Sequence, residues 1–300
     1  MNAPPAATSW TQRPERGTPG MLRFIVWVSL ALGRAPARVL LRIIAAYFLA
    51  FGGAARRASR EFLARCHGRK PTLGETYGLF FSFASTVHDR VFFLKDRFDL
   101  FEIEIHGAEL FGPGGTLLMG AHLGSFEALR ACARTVKRPV AMAMYEENAR
   151  RLNGVLEAIA PGLMKDVVAL GHVQSMIELS ERLDQGAIVG LLADRTLGDE
   201  PVLRVPFLGE PAPFPTGPMR MAAALRRPVL FMTALYRGAN RYEVHFEPLA
   251  DFSDLEGLTR AERDRRVEEG VRAYAARLER FARRAPSNWF NFHDFWGRQP

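Results

Sequence analysis

His122 and Glu127 stand five residues apart at the end of an apolar run, and together they are the residue types that general-base chemistry needs. One imidazole nitrogen takes a proton from a hydroxyl or amine while a carboxylate accepts a hydrogen bond from the other. On a continuous helix that spacing separates side chains by roughly 140°, so a shared helical face does not join them. A strand, a turn and a helix start do. The run from Thr116 has strand length and breaks at small residues, leaving His122 where a strand would end, and Leu123, Gly124 and Ser125 supply a turn. Ser125 is a candidate N-cap for a helix over 126–135, which puts Glu127 in its first turn. There the helix terminus favours the ionised carboxylate, and that charge favours the imidazolium formed on proton abstraction. The plain structural alternative is a histidine that ends a strand beside a solvated acid.

A second chemical pair, Asp194 and Arg195, follows the apolar run Ala187 to Ala193 and therefore falls at another strand end. Arg195 has the fork geometry to clamp a phosphate or carboxylate, with Asp194 either holding the guanidinium or contacting the base. Arg150 and Arg151 sit in a helical stretch after the next strand and reach the same cleft unless they are ordinary surface arginines. Thr216 and Gly217, ahead of a helix, offer backbone amides to an anion. Other chemistries lack their motifs: there is no G-x-S-x-G elbow, no P-loop lysine and no H-E-x-x-H. The remaining histidines show no metal-ligand spacing, and no nucleic-acid module is recognisable.

The elements that must position these residues alternate. Strand 139–145, helix 146–160, strand 166–170, helix 173–185 and strand 187–193 predict an α/β fold with a largely parallel central sheet flanked by helices. Ligands of such sheets lie beyond the carboxyl ends of the strands, where His122 and Asp194 fall. Further on, 202–209 reads as a strand and turn, 211–218 as a rigid proline loop and 219–226 as a helix. Strands 229–236 and 242–247 follow, joined as a hairpin, and 258–284 is a long charged helix. The aromatic segment Pro286 to Trp296 is expected to pack back on the sheet or line an acyl groove.

Three hundred residues, 48% hydrophobic, provide a sizeable core, and a net charge of +8 points to an acidic partner, with nucleic acid, anionic lipid and an acidic carrier protein as the candidates between which charge alone does not choose. Cys66 and Cys132 form no disulfide or zinc pattern and fit a reducing compartment. Residues 1–20 read as a flexible arm, 21–70 as a helical, membrane-associating region and 71–300 as the α/β domain. In the second of these the apolar runs 24–32 and 39–51 are each shorter than the roughly 20 residues of a spanning helix. Arg34, Arg38 and Arg42 recur every fourth position, and this basic stripe suggests contact with an anionic membrane surface, the alternatives being a buried helical hairpin with arginines at its rim or a single tilted span.

The order of motifs resembles the lipid A biosynthesis acyltransferase family, within the lysophospholipid acyltransferase superfamily, and more particularly its shorter predicted-acyltransferase branch. The resemblance runs from about Trp10 to Trp296. It rests on the block from Ala121 to Glu127, the block Ala193 to Arg195, the block Val205 to Pro215 and the closing block Asn288 to Trp296. It implies transfer of a fatty acyl group from an acyl carrier protein or coenzyme A thioester to a hydroxyl or amine of a lipid-like acceptor, at the cytoplasmic face of the inner membrane. His122 would be the base and Glu127 its orienter, with Gly124, Ser125, Arg151, Asp194 and Arg195 around the substrate. No metal or redox cofactor is implied, and nucleic acid is not an expected partner. Oxyanion donors are expected among backbone amides near Gly124 or from a nearby arginine. The rival readings are an acyl thioesterase and a non-catalytic lipid-binding membrane protein.

Overall fold

The protein is described from a computed structural model, which covers residues 27, 29, 31, 33–128, 131, 136–145, 166–196 and 200–297. The arm at 1–20, the helix at 146–160, Arg151 and Cys132 lie outside them.

Three helices lead: α1 (Arg34–Phe51), α2 (Gly53–His67) and α3 (Leu73–Leu94). A reciprocal cap starts α3, in which the Thr72 hydroxyl accepts from the Glu75 amide and the Glu75 carboxylate accepts from the Thr72 amide. The central sheet is built from β1 (Glu102–His106), β2 (Thr116–Gly120), β3 (Val140–Tyr145), β4 (Val167–Leu170) and β5 (Ile188–Leu192), with α4 (Val173–Asp184) between the last two. After a hairpin of β6 (Val202–Phe207) and β7 (Glu210–Pro215) come α5 (Gly217–Leu225), β8 (Pro228–Tyr236), β9 (Arg241–Asp251) and α6 (Arg260–Arg284).

The sheet order is β1-β9-β8-β2-β5-β3-β4. Strands β8, β2, β5, β3 and β4 are mutually parallel, while β9 runs against β8 and carries β1 with it. The largely parallel α/β architecture is thus observed. Both faces are covered, as such sheets require. Leu117 and Met119 of β2 pack into one core with α4, α5 and α6, while Leu118 points into the other with Phe92 and Phe93 of α3.

Two local expectations are corrected. The proline run is a strand, not a loop. Pro211, Pro213 and Pro215 recur at period two, so all three missing N–H groups lie on the unpaired edge of the two-stranded hairpin. Of the three arginines of α1 only Arg42 is exposed, so they do not form a continuous outward stripe. Arg34 makes a two-pronged contact with the buried Asp89 of α3 at 2.7 Å on both prongs, and also donates to the Ala239 carbonyl. Arg38 lies over the Phe81 ring. What α1 presents outward is the apolar ridge Val39, Ile43, Tyr47 and Phe51, each more than half exposed. Among the described residues no single helix is long and apolar enough to cross a membrane. The pair α1 and α2 passes that test together but is bent by 94°.

Candidate active site

Strand β2 is buried along its whole length and ends at Gly120, whose carbonyl accepts from the Tyr274 hydroxyl of α6 at 2.7 Å and from the Ala193 amide at 3.0 Å. Gly120 is in register with Leu192 on the neighbouring β5. Two residues beyond each, His122 and Asp194 therefore face one another at the carboxyl ends of parallel strands. His122 Nδ1 lies 2.8 Å from Asp194 Oδ1, and the His122 backbone amide donates to Oδ2 at 3.0 Å. Because a carboxylate accepts at Nδ1, the proton of the neutral ring is assigned there, leaving the lone pair on Nε2. The buried Trp289 indole donates to Asp194 Oδ2 at 3.1 Å.

The turn carrying His122 is bonded on both sides. Gly124 adopts φ +77°, and a Cβ there would stand 1.9 Å from the Ala234 carbonyl oxygen, so only glycine fits. The Gly124 amide donates to the Asn288 carbonyl at 2.9 Å and the Ser125 amide to the Ala234 carbonyl at 2.9 Å. The Thr233 hydroxyl donates to the Leu123 carbonyl at 3.0 Å, and the Phe290 amide to the His122 carbonyl at 2.8 Å. The Asn288 side chain bridges the Tyr236 amide and carbonyl at 2.7 and 3.1 Å. The closing aromatic segment is thus a wall of the site.

Glu127 has a different place from the one its spacing suggests. No hydrogen bond joins it to the imidazole among the described residues. Its carboxylate lies 2.6 Å from the Arg90 guanidinium of α3. The role of orienting Nδ1 falls to Asp194, and Glu127 acts on His122 through its charge alone. After Ser125 the chain makes a short 3-10 turn at Phe126–Ala128, and most of the helix expected over 126–135 lies outside the described residues. The amides of Gly124 and Ser125 are already committed, which removes them as oxyanion donors. Arg195 is brought to the site and donates to the Phe290 carbonyl at 3.1 Å. Thr216 is not available as an anion site in the way its spacing suggested, since its amide donates to the Pro201 carbonyl at 3.0 Å.

Burial pushes the His122 pKa down, Asp194 pulls it back up, and the Arg195 cation adds to the lowering, so the net direction is downward. The ring side chain keeps 31% of its surface, enough for a substrate to reach it. For Asp194, burial works against ionisation, but the imidazole, Arg195 and the Trp289 N–H together hold its carboxyl well below the usual range. His293, in the closing segment, is pushed down to about 4 by burial and by Arg195. The Cys66 thiol is pushed up to about 12 by burial, which makes it a poor nucleophile at neutral pH. Among the described residues no group of three or more His, Cys, Asp or Glu is placed to hold a metal ion. Trp289, Asn288 and Arg90 had no individual signal in the sequence: each acts through a partner far away along the chain.

An imidazole held by a buried carboxylate at the carboxyl ends of parallel strands places the candidate site of this α/β protein where such sheets bind ligands. A profile of the bacterial lipid A biosynthesis acyltransferases matches residues 82–298, and the chain belongs to that family of lipid acyltransferases. Among solved structures, the 1-acyl-sn-glycerophosphate acyltransferase PlsC from Thermotoga maritima aligns over 81% of this chain and 97% of its own, with 16% identity and a TM-score of 0.38. No curated protein matches the chain at a significant level.

Proposed function

We propose that the protein transfers a fatty acyl group from an acyl carrier protein or coenzyme A thioester to a hydroxyl or amine of a lipid-like acceptor, with His122 as general base. The observation that carries this is the 2.8 Å contact between His122 Nδ1 and the buried Asp194, which orients the ring and leaves the Nε2 lone pair for the acceptor. Nε2 takes the acceptor proton as its oxygen or nitrogen attacks the thioester carbonyl. The tetrahedral intermediate then collapses, the C–S bond breaks, and the imidazolium returns the proton to the departing thiolate. Asp194 stabilises the imidazolium, and the Glu127 charge adds to this. With the Gly124 and Ser125 amides committed, the cation that serves the oxyanion is Arg195.

The ridge of Val39, Ile43, Tyr47 and Phe51 suits insertion of α1 into a lipid surface, with Arg42 beside it for anionic headgroups. The expected location is the cytoplasmic face of the inner membrane. The test is incubation of the full chain with acyl carrier protein thioester, acyl-coenzyme A and candidate lipids, followed by product analysis. An acylated lipid that disappears in His122→Ala supports the reading. Free fatty acid as the only product under every acceptor condition would replace it with a thioesterase.

A further inference from the structure

A buried carboxylate needs donors, and the kind of donor decides what a proton can do beside it. Among the described residues Asp194 has three: His122 Nδ1 at 2.8 Å on Oδ1, with the His122 amide at 3.0 Å and the Trp289 indole at 3.1 Å on Oδ2. Two of them belong to the residue that the carboxylate orients. The indole comes from outside that pair. Its N–H donates and does not accept, whereas a hydroxyl in the same place would also accept and would rotate.

That donor has no freedom to turn away. Trp289 is fully buried, and its ring packs against Phe62 of α2, Phe207 of β6 and Phe295 with centroids 4.8, 5.3 and 4.9 Å apart. Its backbone makes an antiparallel bridge with Leu123, between the Asn288 contact to Gly124 and the Phe290 contact to His122. One residue thus grips the histidine turn through its backbone and the carboxylate beyond β5 through its side chain. Donation to Oδ2 draws charge from the carboxylate and weakens its hold on a proton. The consequence falls on Nδ1, whose hydrogen points at Oδ1. With the indole in place that hydrogen stays on the ring, and the lone pair stays on Nε2.

We propose that Trp289 is a positioning residue of this site: by donating to Asp194 Oδ2 it fixes the direction of the carboxylate and tempers its pull on the Nδ1 hydrogen of His122. Its effect on acyl transfer rests on the acyltransferase reading; its effect on the imidazole does not. Trp289 touches no substrate and acts through Asp194 alone. Without the N–H, Oδ2 keeps only the His122 amide, so the carboxylate is held less firmly in direction and bears more charge toward the ring.

The test replaces Trp289 in the full chain by benzothienylalanine, an isostere in which sulfur stands for the N–H. Trp289→Phe serves as the encoded counterpart, and Phe295→Leu as a control that loosens the same aromatic packing but keeps the donor. Proton NMR follows the His122 ring without substrate, its signals identified by their absence in His122→Ala. In the isostere the Nδ1 hydrogen should move downfield, and the ring should titrate at a pH higher by about 0.5, because a carboxylate with fewer donors favours the imidazolium. With the thioester and lipid that the wild type uses, kcat should fall by about tenfold at unchanged KM, and the acid limb of the rate should move to higher pH. Trp289→Phe should agree in direction. Phe295→Leu should lower the thermal midpoint and leave the resonance and the limb in place. A His122 resonance and titration unmoved in the folded isostere overturn the proposal. So does an equal shift in Phe295→Leu, which would assign the effect to packing, and so does a moved resonance with wild-type kcat, since the contact would then serve nothing in the reaction. If the resonance moves as expected but the wild type transfers no acyl group, the enzymatic reading fails and the hold of Trp289 on the imidazole stands.

Discussion

Two carboxylates are buried with almost no exposure, Asp89 on α3 and Asp194 after β5, and each is surrounded by donors. Asp89 accepts both prongs of Arg34 at 2.7 Å and the Tyr242 hydroxyl at 2.7 Å. His88 Nδ1 stands 3.5 Å away and makes no hydrogen bond, so Arg34 and Tyr242 are the partners that count. Asp194 accepts His122 Nδ1, the His122 amide and the Trp289 indole. Both are kept ionised against the cost of burial. The difference is in the partner. Arg34 is charged at every accessible pH, so its pair with Asp89 is a fixed clamp that seats α1 on α3. An imidazole exchanges its proton far more readily than a guanidinium, so in the proposed reaction the same kind of buried acid supports a proton transfer.

The comparison predicts that damage at one carboxylate is read in rate and at the other in stability. The largest effect is expected from His122→Ala, with acyl transfer falling by about 10² to 10⁴-fold and the thermal midpoint little changed. Near-normal turnover in that variant removes the base. Arg34→Gln leaves Asp89 charged and unpaired, and urea unfolding should show a loss of about 3–5 kcal/mol. Turnover per folded molecule should suffer less than after His122→Ala; a stability equal to wild type would show that Asp89 is not a clamp.

Asp194→Asn should lower turnover by about 10²-fold, because an amide can orient the ring but does not stabilise its charge. Its pH profile carries a sign. Burial already lowers the His122 pKa and Asp194 is the largest opposing influence, so in Asp194→Asn the acid limb should move to lower pH. Removing the lowering influence with Arg195→Gln should move it to higher pH. Limbs that shift in the same direction would contradict the assigned surroundings. In the wild type the lowered pKa keeps the base neutral, and the enzyme active, to pH values below the ordinary histidine range.

Smaller effects separate Glu127 from Asp194 and the ridge from the clamp. Glu127→Gln should cost only about tenfold in rate, since it removes a nearby charge and not a hydrogen bond; a loss as large as that of Asp194→Asn would return the orienting role to Glu127. On vesicles, Ile43→Gln should weaken attachment by roughly tenfold or more. Arg42→Gln should weaken it by about 1 kcal/mol, and only at low salt. If the arginine matters more than the isoleucine, α1 lies on the surface by charge and not by insertion.

Much of the architecture was legible because it is local. The alternation of apolar runs and helices gave the parallel sheet, and the apolar run from Thr116 marked the strand that delivers His122. The partner of His122 was only half legible: a contact from Asp194 to the base was one of two readings of that residue, and the structure shows that contact. Glu127 is five residues away and looks like a mate, whereas Asp194 is 72 residues away and becomes adjacent only because β2 and β5 are neighbours in register. The period of four in α1 was read correctly as one helical face, but two interleaved sets share that period. Which set faces inward depends on Asp89, on a different helix, and no local pattern reports it. The proline strand was misread because proline usually ends strands; its period of two, which keeps the missing donors on the open edge, was the available signal.

The closing segment also bears on how the protein comes into being. Trp289 meets Asp194, and Arg195 meets Phe290, across 95 residues each, while Tyr274 meets Gly120 across 154. During synthesis the sheet strands that carry His122 and Asp194 emerge long before the residues that lock them. A ribosome-bound chain stopped short of residue 288 would hold its histidine turn without its wall, and closing contacts at such separations are slow to form. The activity is therefore expected to switch on late, after the polypeptide has passed residue 290, when α1 has already had time to reach a lipid surface.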